Sequence, residues 1–178
     1  MGDCHMIPSM RRLLFVAVVA FALALSCRSK DTDSPSFPGA PMVLISIDTL
    51  RADHLPAYGY GGVETPHLDA LRKDAILFAN AYSHCPLTLP SHVSILTGLL
   101  PPAHGVRDNL GYAFDGRKHP GLASFLKAKG YATGAAVSAY VLRGATGLSD
   151  SFDVYDDEIV VPPGSESASL AQRKGDET

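Results

Sequence analysis

The sequence lacks the features that mark several specialised classes of protein. It has no basic excess, since 15 lysines and arginines stand against 18 aspartates and glutamates, so no nucleic-acid partner is expected. Apolar residues make up 46% of its 178 residues, too many for a disordered chain. Three cysteines are too few for a disulfide scaffold, and collagen-like, heptad or longer repeats are absent. An ordinary globular domain remains, with room for an attached segment.

The attached segment is residues 1–26, which have the layout of an export signal. Arg11 and Arg12 precede an apolar run at 13–25, shorter than the roughly 18 residues that a membrane-spanning helix needs. The following Ser26-Cys27 resembles the lipobox of bacterial lipoproteins, in which the cysteine is lipidated. A plain secretory signal cleaved nearby is the alternative. The first interpretation predicts an exported lipoprotein anchored to a membrane through Cys27.

Residues 27–41 are predicted to form a tether, and residues 42–178 are predicted to form the folded part. The tether is rich in Ser, Asp and Pro and has no apolar periodicity. The apolar run Met42–Ile47 that follows is typical of a strand buried on both faces of a parallel sheet. Cys85 has no cysteine partner in this part, which favours a small buried apolar side chain.

Strand-like and helix-like segments alternate over the folded part. Thr65 is expected to cap the first helix, and Gly98 and Gly130 are expected to end the next two. This alternation predicts an α/β fold with a largely parallel sheet. The predicted elements are a strand at 42–47, a helix at 66–74, a strand at 75–82, a helix at 90–96, a helix at 121–129 and a strand within 131–141.

Two residues stand where α/β folds place their sites. Asp48 directly follows the first predicted strand, and sites in such sheets form at the carboxyl ends of strands. Thr88 stands just ahead of the helix that opens with Pro90-Ser91-His92, where backbone N–H groups and the helix dipole would stabilise an anion. Each also has an ordinary interpretation, Asp48 as a turn residue and Thr88 or Ser91 as a capping hydroxyl.

Four blocks follow one another along the predicted folded part: VLISIDTLRADHLPAYGY, TPHLDAL, TLPSHVSILTG and HGVRDN. Together they resemble the N-terminal half of the sulfatase family, in the alkaline phosphatase superfamily. The resemblance covers about Pro41 to Asp157, and its specificity comes from the order and spacing of the blocks. It implies an α/β sandwich with a mixed, mostly parallel central sheet, of which this chain would hold the N-terminal part only.

The resemblance assigns catalytic roles to Thr88 and His92. Sulfatases carry a CxPSRxxLLTG block whose cysteine becomes the nucleophile formylglycine; here Thr88 occupies the cysteine position and His92 replaces the arginine. Cys85 lies three residues too early, so no formylglycine is expected. Threonine nucleophiles occur in related branches that act on phosphate esters, diesters and phosphonates.

The resemblance also implies a divalent metal, which would be Ca²⁺, Mg²⁺, Mn²⁺ or Zn²⁺. Asp48 matches the first of the family's paired aspartate ligands, Thr49 replaces the second, and Thr88 would contact the same ion. A hard cation needs more oxygen ligands than these. The family supplies the others from an Asp-Asn or Asp-His segment much further along the chain, which this sequence does not contain.

Three polar residues of the AHGVRDN segment are candidate substrate ligands: His104, Arg107 and Asn109. Ordinary loop structure, with Arg107 paired to a carboxylate, is the alternative. The resulting hypothesis is metal-assisted attack by Thr88 on a small or polymeric sulfate or phosphate ester, complete only with the missing C-terminal half. A non-catalytic, lipid-tethered binding module or an inactive fragment is the other hypothesis.

Overall fold

The structure is a computed structural model that describes residues 37–161, 163 and 171–174. Residues 37–46 belong to one unit, Met1–Ser46, and the helices and strands given below belong to a second unit, Ile47–Thr178. The predicted export signal, Cys27 and most of the predicted tether lie outside the described residues. Within the described part, no helix is long and apolar enough to cross a membrane.

Helices dominate the regular structure of the second unit. The longest helix of the described part, Thr88–Thr97, supplies most of the packing described below. Short 3₁₀ helices form the connections, at Ala52–His54, Pro56–Tyr58, Tyr140–Leu142, Gly144–Thr146 and Leu148–Ser151. The α-helices are α1 (Pro66–Arg72), α2 (Thr88–Thr97), α3 (Pro101–His104) and α4 (Leu122–Ala128).

The three predicted helices are confirmed, with corrections at their starts. The Thr65 side chain does not cap α1; its hydroxyl donates to Asp69 Oδ2 at 3.2 Å instead. Helix α2 begins two residues earlier than predicted, so Thr88 is its first residue. It ends at Gly98, whose φ of 69° is easy only for glycine and lets its N–H reach the Ser94 carbonyl.

The sheet within the described residues is one parallel pair. Strand β1 (Gly134–Ala136) lies beside β2 (Val154–Asp156), with Gly134 opposite Val154. The first falls inside the strand predicted within 131–141, and the second was not anticipated. A parallel pair linked by helical segments confirms the predicted α/β class.

The predicted strands at 42–47 and 75–82 are wrong for this structure, which gives both segments irregular conformations. Their apolar side chains are largely exposed, including Val43 at 79% and Ile76 at 84%. A strand is stable only when its N–H and C=O groups pair with a neighbour. No strand among the described residues pairs with either segment. These apolar runs favour strands, but neither has a neighbouring strand to pair with among the described residues.

The apolar core of the second unit gathers around one side of α2. Leu89 and Val93 lie one turn apart on that helix and are completely buried. Gly121, just before α4, permits close packing against α2, because a Cβ there would lie 3.0 Å from the Leu96 carbonyl oxygen. The remaining buried members of the core are Val106, Phe114, Val141, Leu142 and Leu148. Helix α2 is thus held firmly, which positions the residues at its start.

Candidate functional site

The site is built at the N-terminus of α2. Thr88 is the first helical residue and is half-buried. The next backbone N–H, that of Leu89, is already bonded, and Pro90 has none. The Thr88 N–H finds no acceptor among the described residues and carries the partial positive charge of a helix start. A hydroxyl and an open backbone donor therefore occur on the same residue.

Asp48 contacts that hydroxyl directly. Thr88 Oγ1 donates to Asp48 Oδ2 at 3.0 Å, although 40 residues separate the two. The Asp48 carboxylate belongs to an exposed turn, and Thr49 beside it has a φ of 56°, unusual for a β-branched residue. The structure thus brings together the two residues that the resemblance assigned to one metal ion, and it gives Asp48 a contact beyond its own turn.

Asn109 also lies at this helix start. Its Oδ1 accepts the Leu89 N–H at 2.9 Å, so its side chain caps α2 from a distant loop. The acceptor role fixes the orientation of the amide: Oδ1 faces the helix, and the Nδ2 donors face away from that bond. Asn109 is therefore next to Thr88 in space, and its predicted contact with substrate stays a prediction.

His92 lies one turn along α2 from Thr88. Its Nδ1 is 2.8 Å from the Thr88 carbonyl oxygen, and because a carbonyl only accepts, Nδ1 must carry the proton. The imidazole is half-buried and is held against Thr88, the predicted nucleophile. A catalytic role for His92 stays a prediction, now with a defined tautomer.

His104 and Arg107 lie in very different surroundings. His104 is 4% exposed, and both of its ring nitrogens bond inside the protein, to Ser94 Oγ and the Val106 N–H. Burial lowers the pKa of the His104 imidazole, with the charge of His119 adding to the effect. These contacts favour a structural role for His104. Arg107 is exposed and forms no ion pair within the described residues, so it is available to an anion.

Arg51 and Asp53 form an ion pair with each other. The guanidinium donates from Nε at 2.9 Å and from Nη2 at 2.6 Å to the two carboxylate oxygens. Both side chains are exposed, and the Arg51 hydrogen bond lowers the pKa of Asp53. Cys85 is a free thiol and is only half-buried, so its expected full burial is not observed.

The oxygen atoms at this site fit part of a divalent metal site. Asp48 and Thr88 offer a carboxylate and a hydroxyl 3.0 Å apart, and oxygen is the donor that hard cations take. Such ions need six or more ligands. No group of three His, Cys, Asp or Glu side chains in the described part is arranged to hold a metal. These two residues would therefore hold an ion only together with ligands from elsewhere.

Two contacts that hold the site together have no signal in the sequence. Ser94 as the partner of His104, and the Leu89 N–H as the partner of Asn109, depend on how a loop folds back on α2. A Ser in the middle of a helix and a backbone N–H carry no such information. One hint existed, since the first four N–H groups of any α-helix have no acceptor within the helix.

Comparisons with known proteins place every residue of this site within one matched region. The sequence profile of the Sulfatase family matches residues 41–146. An ulvan-active sulfatase of Formosa agariphila is 38% identical over 121 residues, which cover 65% of this chain and 23% of the relative. Steryl-sulfatase of Mus musculus is 36% identical over 135 residues, covering 68% and 21%.

A third relative has a different printed activity. Bis(5'-adenosyl)-triphosphatase of Bos taurus is 32% identical over 107 residues, covering 60% of this chain and 22% of the relative. This chain thus spans about a fifth of the length of each of these three relatives. No solved structure matches it.

Proposed function

The chain belongs to the sulfatase family, and we propose that it carries the nucleophile of a hydrolase for sulfate or phosphate esters. Its described residues form part of that family's alkaline-phosphatase-like α/β fold. The observation that carries the proposal is the Thr88 Oγ1 to Asp48 Oδ2 hydrogen bond of 3.0 Å. A threonine hydroxyl is a weak nucleophile until a neighbouring group removes or shares its proton.

In the proposed reaction, Asp48 orients the Thr88 hydroxyl and weakens its hold on the proton. Oγ1 forms a bond to the sulfur or phosphorus of the ester, and the bond from that atom to the alcohol oxygen breaks. The alcohol leaves with a proton, and water then cleaves the bond to Thr88 and restores the hydroxyl. The Thr88 N–H and the Asn109 amide are the nearby donors for the oxygens of the anion.

A divalent ion held by Asp48 and Thr88 would neutralise negative charge on the ester and favour the ionised hydroxyl. The two residues supply only part of a ligand set. We propose that the other ligands come from residues of a longer protein that contains this segment. The limited share of the relatives that the chain covers supports this view.

A sulfate ester is the first substrate class to test, and a phosphate ester the second. Relatives named for sulfated ulvan and steryl sulfates support the first. Thr88 in the position of the family's cysteine, and a relative named for a nucleotide substrate, support the second. Both classes present a tetrahedral anion of similar size to the same nucleophile.

The test is hydrolysis of p-nitrophenyl sulfate, p-nitrophenyl phosphate and bis(p-nitrophenyl) phosphate by the longer protein. Each reaction is measured with Ca²⁺, Mg²⁺, Mn²⁺ or Zn²⁺ and after chelation. Thr88→Ala should abolish turnover on the preferred ester, while Thr88→Ser, which keeps a hydroxyl, should retain part of it. A Thr88→Ala rate close to that of the wild type would reject the proposal.

A non-catalytic, lipid-tethered binding module or an inactive fragment is the second candidate. The missing metal-ligand group among the described residues favours it. It predicts no turnover of any of the three esters with any ion. Export and anchoring through Cys27 are proposals common to both candidates, tested by comparing lipid labelling and membrane fractionation of the wild type and Cys27→Ser.

A further inference from the structure

The segment from His104 to Asn109 is bonded to α2 at both of its ends. At one end, His104 Nε2 lies 3.1 Å from Ser94 Oγ, and at the other, Asn109 Oδ1 accepts the Leu89 N–H at 2.9 Å. The loop runs antiparallel to the helix: its first residue, His104, contacts Ser94, and its last residue, Asn109, contacts Leu89, nearer the start of the helix. The loop therefore returns along the helix towards Thr88.

His104 can hold its end only in one protonation state. The Val106 N–H, 3.2 Å away, can only donate, so Nδ1 must be an unprotonated acceptor. The ring proton is then on Nε2, which donates to Ser94 Oγ. A doubly protonated ring would place an N–H against the Val106 N–H, and water cannot replace the lost bond, because Val106 is fully buried and His104 nearly so.

We infer that neutral His104 is a positioning residue, which keeps Asn109 at the start of α2 and releases it when the imidazole is protonated. Only the expected effect on catalysis rests on the proposed function, because Asn109 lies beside the proposed nucleophile. The release of Asn109 from α2 does not depend on that function. Arg107 is carried on the same loop and would move with it.

The surroundings of His104 favour this neutral form. Burial is the main cause of its lowered pKa, and the titratable neighbour that acts on it is His119, whose positive charge acts in the same direction. The Pro90 carbonyl opposes this shift to a smaller extent. The lowered pKa means that the imidazole is protonated only at a lower pH than an ordinary histidine.

The test follows backbone amides of the chain by NMR between pH 7.5 and 4.5. As the His104 ring titrates, the Val106 and Leu89 amide signals should shift with the same midpoint. The protection of the Leu89 amide, which compares its exchange rate with that of an unstructured amide at the same pH, should fall about fivefold as its bond to Asn109 is lost. Thr88→Ala is the matched control, and it should leave this titration unchanged whether or not Thr88 is a nucleophile.

Two substitutions separate positioning from simple packing. His104→Asn keeps an acceptor for the Val106 N–H, in the manner of an Asx turn, but cannot be protonated, so Leu89 should stay protected down to pH 4.5. His104→Phe removes both bonds and should expose Leu89 to exchange at every pH. A wild type whose His104 titrates while the protection of Leu89 stays constant, or a His104→Asn variant that keeps the pH step in protection, would overturn the inference.

If His104→Phe fails to fold, Ser94→Ala supplies the second measurement. It removes only the Nε2 partner, and the pH midpoint for Val106 should change while the protein stays folded. An unchanged midpoint would count against the inference. None of these readouts depends on hydrolysis, so failure of the proposed function and failure of this inference are distinguishable.

Discussion

Thr88 donates its hydroxyl proton towards Asp48 Oδ2 at 3.0 Å, and this bond links two chain segments 40 residues apart. Asp48 is in an exposed turn, while Thr88 is anchored by a buried helix. The firm partner is therefore the threonine, and the carboxylate is the more adjustable one. This division would suit the roles proposed above, in which Thr88 is the nucleophile and keeps its place while Asp48 accepts protons.

Asp48→Asn should lower turnover of the preferred ester in the longer protein by about 10² to 10⁴-fold, because an amide is a poor proton acceptor. The change is measured as kcat on the p-nitrophenyl ester. Asp53→Asn is the matched control: it removes an exposed carboxylate of the same segment, which bonds to Arg51 and not to Thr88. Equal losses in the two variants would show that Asp48 has no special role.

Asn109→Ala should destabilise the chain by about 1 kcal/mol, because the Leu89 N–H at the start of α2 loses its acceptor. Urea unfolding at pH 7 measures the change. Asn109→Asp keeps an oxygen acceptor in the same place and adds a negative charge near a helix N-terminus, so it should stay close to the wild type. A stable Asn109→Ala variant would mean that the cap contributes nothing.

Gly147→Ala should destabilise the chain by roughly 2 kcal/mol or more, for two reasons. Gly147 has a φ of 86°, and a Cβ there would collide with the carbonyl oxygen of Phe114, a core residue. Thermal unfolding measures the loss. Gly61→Ala is the control, because an added Cβ there meets open space at an ordinary φ. Similar melting temperatures for both variants would contradict the packing described at Phe114.

Asp153 should make stability depend on pH in acid. Its pKa is lowered from 3.8 to about 2, first by Lys127 and then by the Thr133 backbone N–H and hydroxyl. A carboxyl group whose pKa is lower in the folded protein stabilises the fold at pH values above its pKa in the unfolded chain. This contribution is lost as the pH falls through its pKa in the folded protein. Asp153→Asn should therefore be less stable than the wild type above pH 3.8.

The measurement is denaturant unfolding of both proteins between pH 6 and pH 2. The difference between them should be constant from pH 6 to about 4 and should shrink as pH 2 is approached. Asp115→Asn is a useful comparison, since Asp115 also has a lowered pKa but bonds mainly to its own turn. A difference that is independent of pH would mean that ionised Asp153 is not the stabilising form.

Helix positions were readable from the sequence because their signals are local. A proline in the first turn or a glycine after the last turn located α1, α2 and α4 to within about two residues. Such residues act through their own backbone conformation, so their effect is local. The exact start of α2 was missed because Thr88 and Leu89 enter the helix through bonds to distant groups. Asn109 accepts from the Leu89 N–H, and Asp48 accepts from the Thr88 hydroxyl.

Strands were predicted less well, because their stability depends on partners that are distant in sequence. Met42–Ile47 is the most strand-like run of the chain, yet it pairs with no strand among the described residues. The short segment at Val154–Asp156 was not anticipated and forms β2, because β1 lies beside it. A hydrophobic pattern indicates what a segment can do, and a neighbour decides whether it does so.

By itself, the sequence determined the α/β class and the family to which the chain belongs, because those depend on residue types and their order. It also proposed the principal candidate site residues. Only the tertiary structure decided which of these residues meet. It brought Asp48 and Asn109 to the start of α2 and buried His104 against Ser94, away from solvent. Such contacts depend on the return of a loop over a packed helix, and no local signal in the chain specifies that path.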